Sequence, residues 1–351
     1  MGRRHDGERR EPVNEKAALA LRTGVAVAFG RRRQRRVPTP FVVSYPMARA
    51  LRLSPIAAAI VAILTGCAES APKQDSAAAS VAPAARRTAL ADAPDRTLTR
   101  DGVTINYRSI GSGEPVLLIH GYGDNLKMWA GLADSIATTH SVIAVDTRGF
   151  GRSSKPAGVA NYGQAMVDDL VAVLDSTGSP NAHVVGYSMG AGLAASLALS
   201  HPERVRTVTL AAGVYPKNAA AMGEMTRPWI DDLEHGRRLT TLIKQVAPAV
   251  PDSQVKGFSD QIFAEGDSAA LVAVLKSFVD MSVDWSKVTA TKIPAVVIVG
   301  ADDPLRPYSR DLAARWPGAK HVEIPATDHV TIPGSPRLLE EVRLLVRANP
   351  R

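Results

Sequence analysis

A chain of 351 residues, 45% of them hydrophobic, is long enough to bury a sizeable core. Its formal charge of +8 suggests a nucleic-acid partner, but residues 1–66 hold 13 Lys/Arg against 4 Asp/Glu while residues 67–351 hold 29 against 30. The basic excess is therefore confined to the N-terminal stretch, and no nucleic-acid partner is expected for the body of the chain, which lacks the surplus of cations that phosphate binding needs.

The chain begins with an Arg-rich stretch, residues 1–46, that includes Arg31-Arg32-Arg33 and Arg35-Arg36. It reads as an upstream mis-start or a disordered basic tail, because the secretory signal that follows normally lies at the very start of a chain. That signal, residues 47–66, has a basic start with Arg49 and Arg52, then an apolar run from Leu53 to Leu64 too short to span as a stable transmembrane helix, then small residues. The single cysteine, Cys67, rules out an intramolecular disulfide. Leu64-Thr65-Gly66-Cys67 resembles a bacterial lipobox. The resemblance implies cleavage before Cys67, a lipid on that residue, and a mature protein held to a membrane of the bacterial cell envelope, facing the periplasm or the exterior. The alternative is an ordinary signal peptide or buried helix in which the cysteine is incidental. Residues 67–94, rich in Ala, Ser and Pro, read as a flexible tether.

From residue 95 to 351 short apolar runs alternate with longer amphipathic ones. Strands are predicted at Leu98–Tyr107 with a turn at Asp101-Gly102, and at Val116–Ile119, Val142–Val145, His183–Val185, Val205–Leu210, Val296–Val299 and His321–Ile324. Most lack a period of two, as strands buried on both faces do. Helices are predicted at Asp124–Ala137, Tyr162–Ser176, Met189–Ser200, Tyr308–Trp316 and Pro336–Ala348. The alternation predicts an α/β fold with a mainly parallel sheet and helices on both faces, its ligand site outside the carboxyl ends of the strands. Residues 214 to about 287 interrupt the alternation and read as a helical cap, whose apolar residues, Trp229, Phe263 and Phe278 among them, are expected to line a pocket. The charged run Asp231, Asp232, Glu234 and His235 reads as a solvated helix face.

Gly186-Tyr187-Ser188-Met189-Gly190 falls between a predicted strand and a predicted helix. A tight strand-to-helix turn with glycines at both flanks projects a serine hydroxyl outward beside the unpaired N–H groups of a helix start, where negative charge can develop. At this point the chain resembles the α/β-hydrolase family over roughly residues 98 to 348. His120-Gly121-Tyr122-Gly123 is similar to the family's H-G loop, which implies an oxyanion hole made by the backbone N–H groups of Tyr122 and Met189. Asp146 to Ser153 matches a structural turn of the family, so Asp146 and Arg148 are read as scaffold, and His120 as a loop-orienting residue.

A serine hydroxyl needs a base to take its proton and a third group to hold that base. In this fold they follow in the order serine, acid, histidine. His329, after the strand ending at Ile324, is the expected base, since His201 and His235 precede the acid and His321 enters a strand. Two aspartates follow Val299; the family pattern aligns Asp303 with the acid and leaves Asp302 as its turn-capping neighbour. Asp328, beside the histidine, stands where relatives commonly carry a small residue. The family's dehalogenases and epoxide hydrolases carry aspartate where Ser188 stands, so an acyl ester on serine is expected here. The resemblance thus implies a carboxylic-ester hydrolase acting on small molecules. The alternatives are the same triad acting on another bond, as in a C–C hydrolase or a perhydrolase, and a non-catalytic binding lipoprotein of the same fold. No metal-ligand cluster, dinucleotide fingerprint or P-loop appears in the sequence, so neither metal nor cofactor is expected.

Overall fold

The Val/Ile/Leu runs become an eight-stranded sheet in the computed structural model, which describes residues 88–350; all of these belong to the unit spanning 79–351. Residues 1–46, the signal at 47–66, Cys67 and most of the 67–94 tether lie outside the described residues.

In chain order the regular elements are β1 (Arg96–Arg100), β2 (Val103–Gly111), β3 (Pro115–Ile119), α1 (Ala130–Ile136), β4 (Ser141–Asp146), α2 (Gln164–Ser176), β5 (Ala182–Tyr187), α3 (Met189–Ser200) and β6 (Val205–Ala211). Then follow α4 (Ala219–Glu234), α5 (Thr240–Val246), α6 (Asp252–Glu265), α7 (Ser268–Ser277), α8 (Trp285–Ala290), β7 (Ala295–Gly300), α9 (Arg306–Arg315), β8 (Lys320–Ile324) and α10 (Pro336–Ala348). The strand order is β1-β2-β4-β3-β5-β6-β7-β8; β1 pairs with β2 and β2 with β4 antiparallel, and every other pairing is parallel. This is the α/β architecture, a mainly parallel sheet with helices on both faces, that the alternation predicts.

The missing period of two has a direct cause. In β3, β5 and β7 every residue is buried, and alternate side chains enter two separate cores. Leu117, Val184 and Val297 join α2, α3 and α9 on one face, while Val116, Val185 and Val296 join α1 and α10 on the other. With both faces covered, nearly every position is apolar, His183 on β5 being a polar exception. Helix α3 is correspondingly apolar around its whole circumference, whereas α10 buries one stripe, Leu338, Val342 and Val346, at a spacing of four. Pro336 opens α10 at its first turn, where a missing N–H costs nothing, and Ser335 accepts a hydrogen bond from the Arg337 N–H at 3.3 Å.

The folded body begins earlier than the composition suggests. At the end of the stretch read as a tether, Leu90 is buried and its N–H donates to Asp134 at 2.7 Å, while Arg108 donates to the Leu90 and Ala91 carbonyls. One large apolar residue suffices to dock such a segment, since burying a leucine is worth about 2 kcal/mol. The remaining departures are small. The predicted helix at Asp124–Ala137 resolves into a 3-10 turn, Leu126–Trp129, and α1, because Asn125 caps the turn through its side chain.

Between β6 and β7 the chain forms five helices, α4 to α8. Asn218 and Asp267 cap α4 and α7 by accepting from the N–H groups of Ala221 and Ala270. Asp232 departs from the solvated face expected of the Asp231–His235 run. It is buried and accepts from the Thr241 N–H at 2.6 Å and from Arg237 at 3.0 Å, joining α4 to α5, while Asp231, Glu234 and His235 stay exposed.

A buried histidine in the sheet makes stability pH-dependent. His183 on β5 lies opposite Thr207 on β6, with Nδ1 2.9 Å from the threonine hydroxyl, and burial pushes its pKa down to about 4 against the opposing pull of Glu114. Its folded pKa lies below the unfolded value of about 6.5, so the unfolded chain binds the proton first, and the stabilisation present above pH 6.5 is lost as pH falls toward 4. We expect a loss of about 2 kcal/mol from this residue between pH 7 and pH 4.5. Urea unfolding at the two pH values should show a smaller difference for His183→Gln than for the parent protein. An unchanged difference would assign the acid sensitivity to other groups.

Candidate active site

The site is built at the carboxyl ends of β3, β5, β7 and β8. Ser188, between β5 and α3, has φ 52° and ψ −115°, a strained conformation for a residue with a Cβ. The strain is held from both sides. The Ser188 N–H donates to the Ala211 carbonyl at 2.9 Å, and its own carbonyl accepts from Ala191 and Gly192 at the start of α3. The turn closes only because its flanks are bare. A Cβ on Gly186 would stand 2.1 Å from the Gly190 carbonyl oxygen, and one on Gly190 would stand 2.2 Å from that of Ile119.

His329 follows β8 and Asp303 follows β7, and both are buried. The imidazole Nε2 lies 3.0 Å from Ser188 Oγ and Nδ1 lies 2.9 Å from Asp303 Oδ2. The other carboxylate oxygen of Asp303 accepts the Leu305 N–H at 2.8 Å, which fixes the acid's orientation. Of the neighbouring carboxylates, Asp302 is exposed and Asp328 turns back on its own loop, accepting from the Thr331 N–H and hydroxyl. Burial raises the Asp328 pKa, but those hydrogen bonds outweigh it and hold the carboxyl below the usual range.

Tyr122 and Met189 line the same cavity as Ser188 and His329. The Tyr122 side chain is committed to the cap, its hydroxyl donating to the Leu271 carbonyl at 3.0 Å and its ring meeting Phe150 and Phe278 edge-on. Met189 is the first residue of α3, so its N–H has no partner within the helix. His120 anchors the loop before Tyr122. Its Nδ1–H donates to the Gly121 carbonyl at 2.7 Å and its Nε2 accepts the Thr147 N–H at 3.0 Å, an arrangement that requires the neutral ring, and burial lowers its pKa accordingly. Asp146 accepts from the N–H groups of Leu126 and Arg152, and Arg148 makes a buried pair with Asp169 on α2 at 2.6 Å, so both hold the scaffold. His201, His235 and His321 lie outside the cavity.

One residue escaped the sequence reading. Tyr187 donates its hydroxyl to the His329 carbonyl at 2.9 Å, and its ring lies against the imidazole, centroids 5.4 Å apart. Burial, reinforced by Asp303, Asp124 and Asp328, pushes its pKa well above the ordinary range, so it stays a donor. Its position beside Ser188 was the only signal available.

The cavity has a volume of about 370 Å³ and runs from Ser188 into the cap, where Met222, Met225, Trp229, Ile262 and Phe278 line it. Phe263, expected to line it too, does not. It packs in a satellite cluster with Leu239 and Ile243 and under the Arg238 guanidinium, 4.8 Å from the ring centroid. Among the described residues no group of three or more His, Cys, Asp or Glu is gathered to hold a metal.

A family model described as the alpha/beta hydrolase fold matches residues 114–336. The chain belongs to the α/β-hydrolase fold family. The chain is 31% identical over 233 residues to 2-hydroxymuconate semialdehyde hydrolase of Pseudomonas putida, covering 63% of this chain and 82% of the relative. Over shorter stretches of 112–118 residues the identity to curated relatives rises to 39–41%, but there the match spans only 30–42% of the relative's length. Among solved structures, the enol-lactonase of Burkholderia xenovorans LB400 superposes with a TM-score of 0.62 at 22% identity, over 71% of this chain and 99% of that one. A thermophilic esterase from Thermogutta terrifontis superposes with a TM-score of 0.60, also at 22% identity, over 75% of this chain and 99% of that one. At such identities the two structures speak for the fold alone.

Proposed function

We propose that this hydrolase cleaves carboxylic esters of small molecules through an acyl-enzyme on Ser188. The observation that carries the reading is the unbroken hydrogen-bonded line from Ser188 Oγ through His329 to Asp303. With its Nδ1–H donated to Asp303, the imidazole keeps a lone pair on Nε2 to accept the serine proton as Oγ attacks the ester carbonyl. The N–H groups of Tyr122 and Met189 receive the developing oxyanion, assisted by the start of α3. His329 then returns its proton to the departing alcohol, and water, activated the same way, releases the acid. A fluorophosphonate probe tests the reading. It should label the parent protein and fail to label Ser188→Ala, and p-nitrophenyl esters should be turned over by the former only. Labelling that persists in Ser188→Ala would overturn it.

We propose from the sequence that the mature protein starts at a lipidated Cys67 and works at the cell envelope. Several acyl chains anchor a protein stably where one chain does so only marginally. Cys67→Ser should therefore move the enzyme from the membrane to the soluble fraction. Mass spectrometry finding Met1 or Met47 as the N-terminus of the cellular protein would contradict the cleavage site.

A further inference from the structure

We propose that the cavity takes uncharged, apolar acyl groups and rejects acyl groups bearing a carboxylate, because no Lys or Arg among the described residues lines it. The inference rests on the ester reading above and adds the substrate class. Among the described residues that line the cavity there is no Lys or Arg; besides His329 and two tyrosines, the titratable groups are Asp124 and Glu265. Both lie toward the loop that follows β3. Asp124 accepts the Asn125 N–H at 2.8 Å, and Glu265, the last residue of α6, accepts from the Asn125 side chain at 2.9 Å.

Lys127 lies outside the lining, at its exposed margin 4.0 Å from Glu265, while Arg237 pairs with Asp231 and Asp232, and Arg238 lies over Phe263 with Asp260 at 3.2 Å. Arg148 is consumed by Asp169, and Arg306 donates to the Ala301 carbonyl. A carboxylate entering the cavity would thus lose its hydration, find no counter-ion, and face two further carboxylates. The field around the base points the same way, since Asp303, Asp124 and Asp328 all help to keep Tyr187 protonated against the His329 ring.

The apolar lining supplies the positive side of the selection. Met222, Met225 and Met281 are adaptable thioether side chains that fit varied chains without a fixed shape. Two of the exposed large hydrophobics, Phe258 (42% exposed) and Val330 (46%), also line the cavity, so the apolar surface continues to solvent. A chain too long for the cavity would still find apolar contact there.

The matched probes are p-nitrophenyl hexanoate and the mono-p-nitrophenyl ester of adipate, which share a leaving group and a six-carbon acyl chain and differ by a terminal carboxylate. With the Ser188→Ala background subtracted, kcat/KM should favour the hexanoate on the order of 100-fold or more. Glu265→Gln should lower that ratio several-fold, and Phe258→Lys, at an exposed position that tolerates a long polar side chain, should lower it further by offering the missing cation. Added salt should lower it as well, since Glu265 is solvent-accessible. Turnover of the two esters within about 3-fold of each other, or a ratio that neither variant nor salt moves, would overturn this inference and leave the ester reading standing. Turnover of neither, with no fluorophosphonate labelling of Ser188, would overturn both.

Discussion

Ser188→Ala and His329→Ala should each lower p-nitrophenyl ester turnover by about 10⁴-fold or more, and Asp303→Asn by about 10⁴-fold, because the three act as one unit. The geometry gives each a separate part. Serine supplies the nucleophile, the imidazole stands 3.0 Å from it as proton acceptor, and Asp303, whose second oxygen is already occupied by the Leu305 N–H, holds the imidazole in the tautomer that leaves Nε2 free. Loss of Asp303 should act through kcat rather than KM, since its carboxylate lies behind the ring and touches no substrate. Thermal unfolding should stay cooperative in all three variants, which separates lost chemistry from lost fold. Asp302 is the control: exposed, while the imidazole Nδ1 is paired with Asp303, it should tolerate replacement by Asn with little loss. If Asp302→Asn were the more damaging change, the assignment of the acid would be wrong.

Gly190→Ala should be as damaging to the fold as Ser188→Ala is to the chemistry. Its added methyl would lie 2.2 Å from the Ile119 carbonyl oxygen and 2.5 Å from that of His120, both main-chain atoms at the end of β3. Neither can move without breaking the β3–β5 pairing, so α3 would have to lift from the sheet, at an expected cost of about 3 kcal/mol or more. Gly192, two residues along the same helix, has nothing within 4 Å of a built Cβ. Gly192→Ala should therefore leave stability unchanged or raise it by up to about 1 kcal/mol through helix propensity. Urea midpoints of the two variants measure the contrast. Equal midpoints would mean that β3 and α3 have slack that the close contact does not suggest.

Much of the fold was legible in the chain because its determinants are local. The bounds of α3 and α10 match the sequence reading residue for residue, since α3 is set by the turn at Ser188 and α10 by Ser335, Pro336 and a clean apolar stripe. Most strand ends shifted by one or two residues, as where the polar termini Ser141, Asp146 and Lys320 pair, while β2 runs four residues past the predicted Tyr107 to Gly111, paired with β4. The cap was legible only as a helical insertion. Its helices are short and irregular, and Phe263 and Asp232 took places opposite to those their chemistry suggested. In both cases the neighbour that decided the matter, Arg238 or Thr241, came from another turn or helix of the cap.

The sequence by itself determined the alternation of buried strands and helices and the turn that projects Ser188. These depend on spacing, on side-chain volume within a few residues, and on the demand that both faces of a parallel sheet be covered. The resemblance to the family pointed to Asp303 and His329, and the tertiary structure joined them to Ser188; only the tertiary structure decided that Tyr187 braces the imidazole and that no cation among the described residues lines the cavity. Those facts join residues far apart in the chain, 26 positions between Asp303 and His329 and 141 between Ser188 and His329. At such separations a side chain's direction is set by how the strands are ordered and by what the cap packs against, and neither is written in any local pattern.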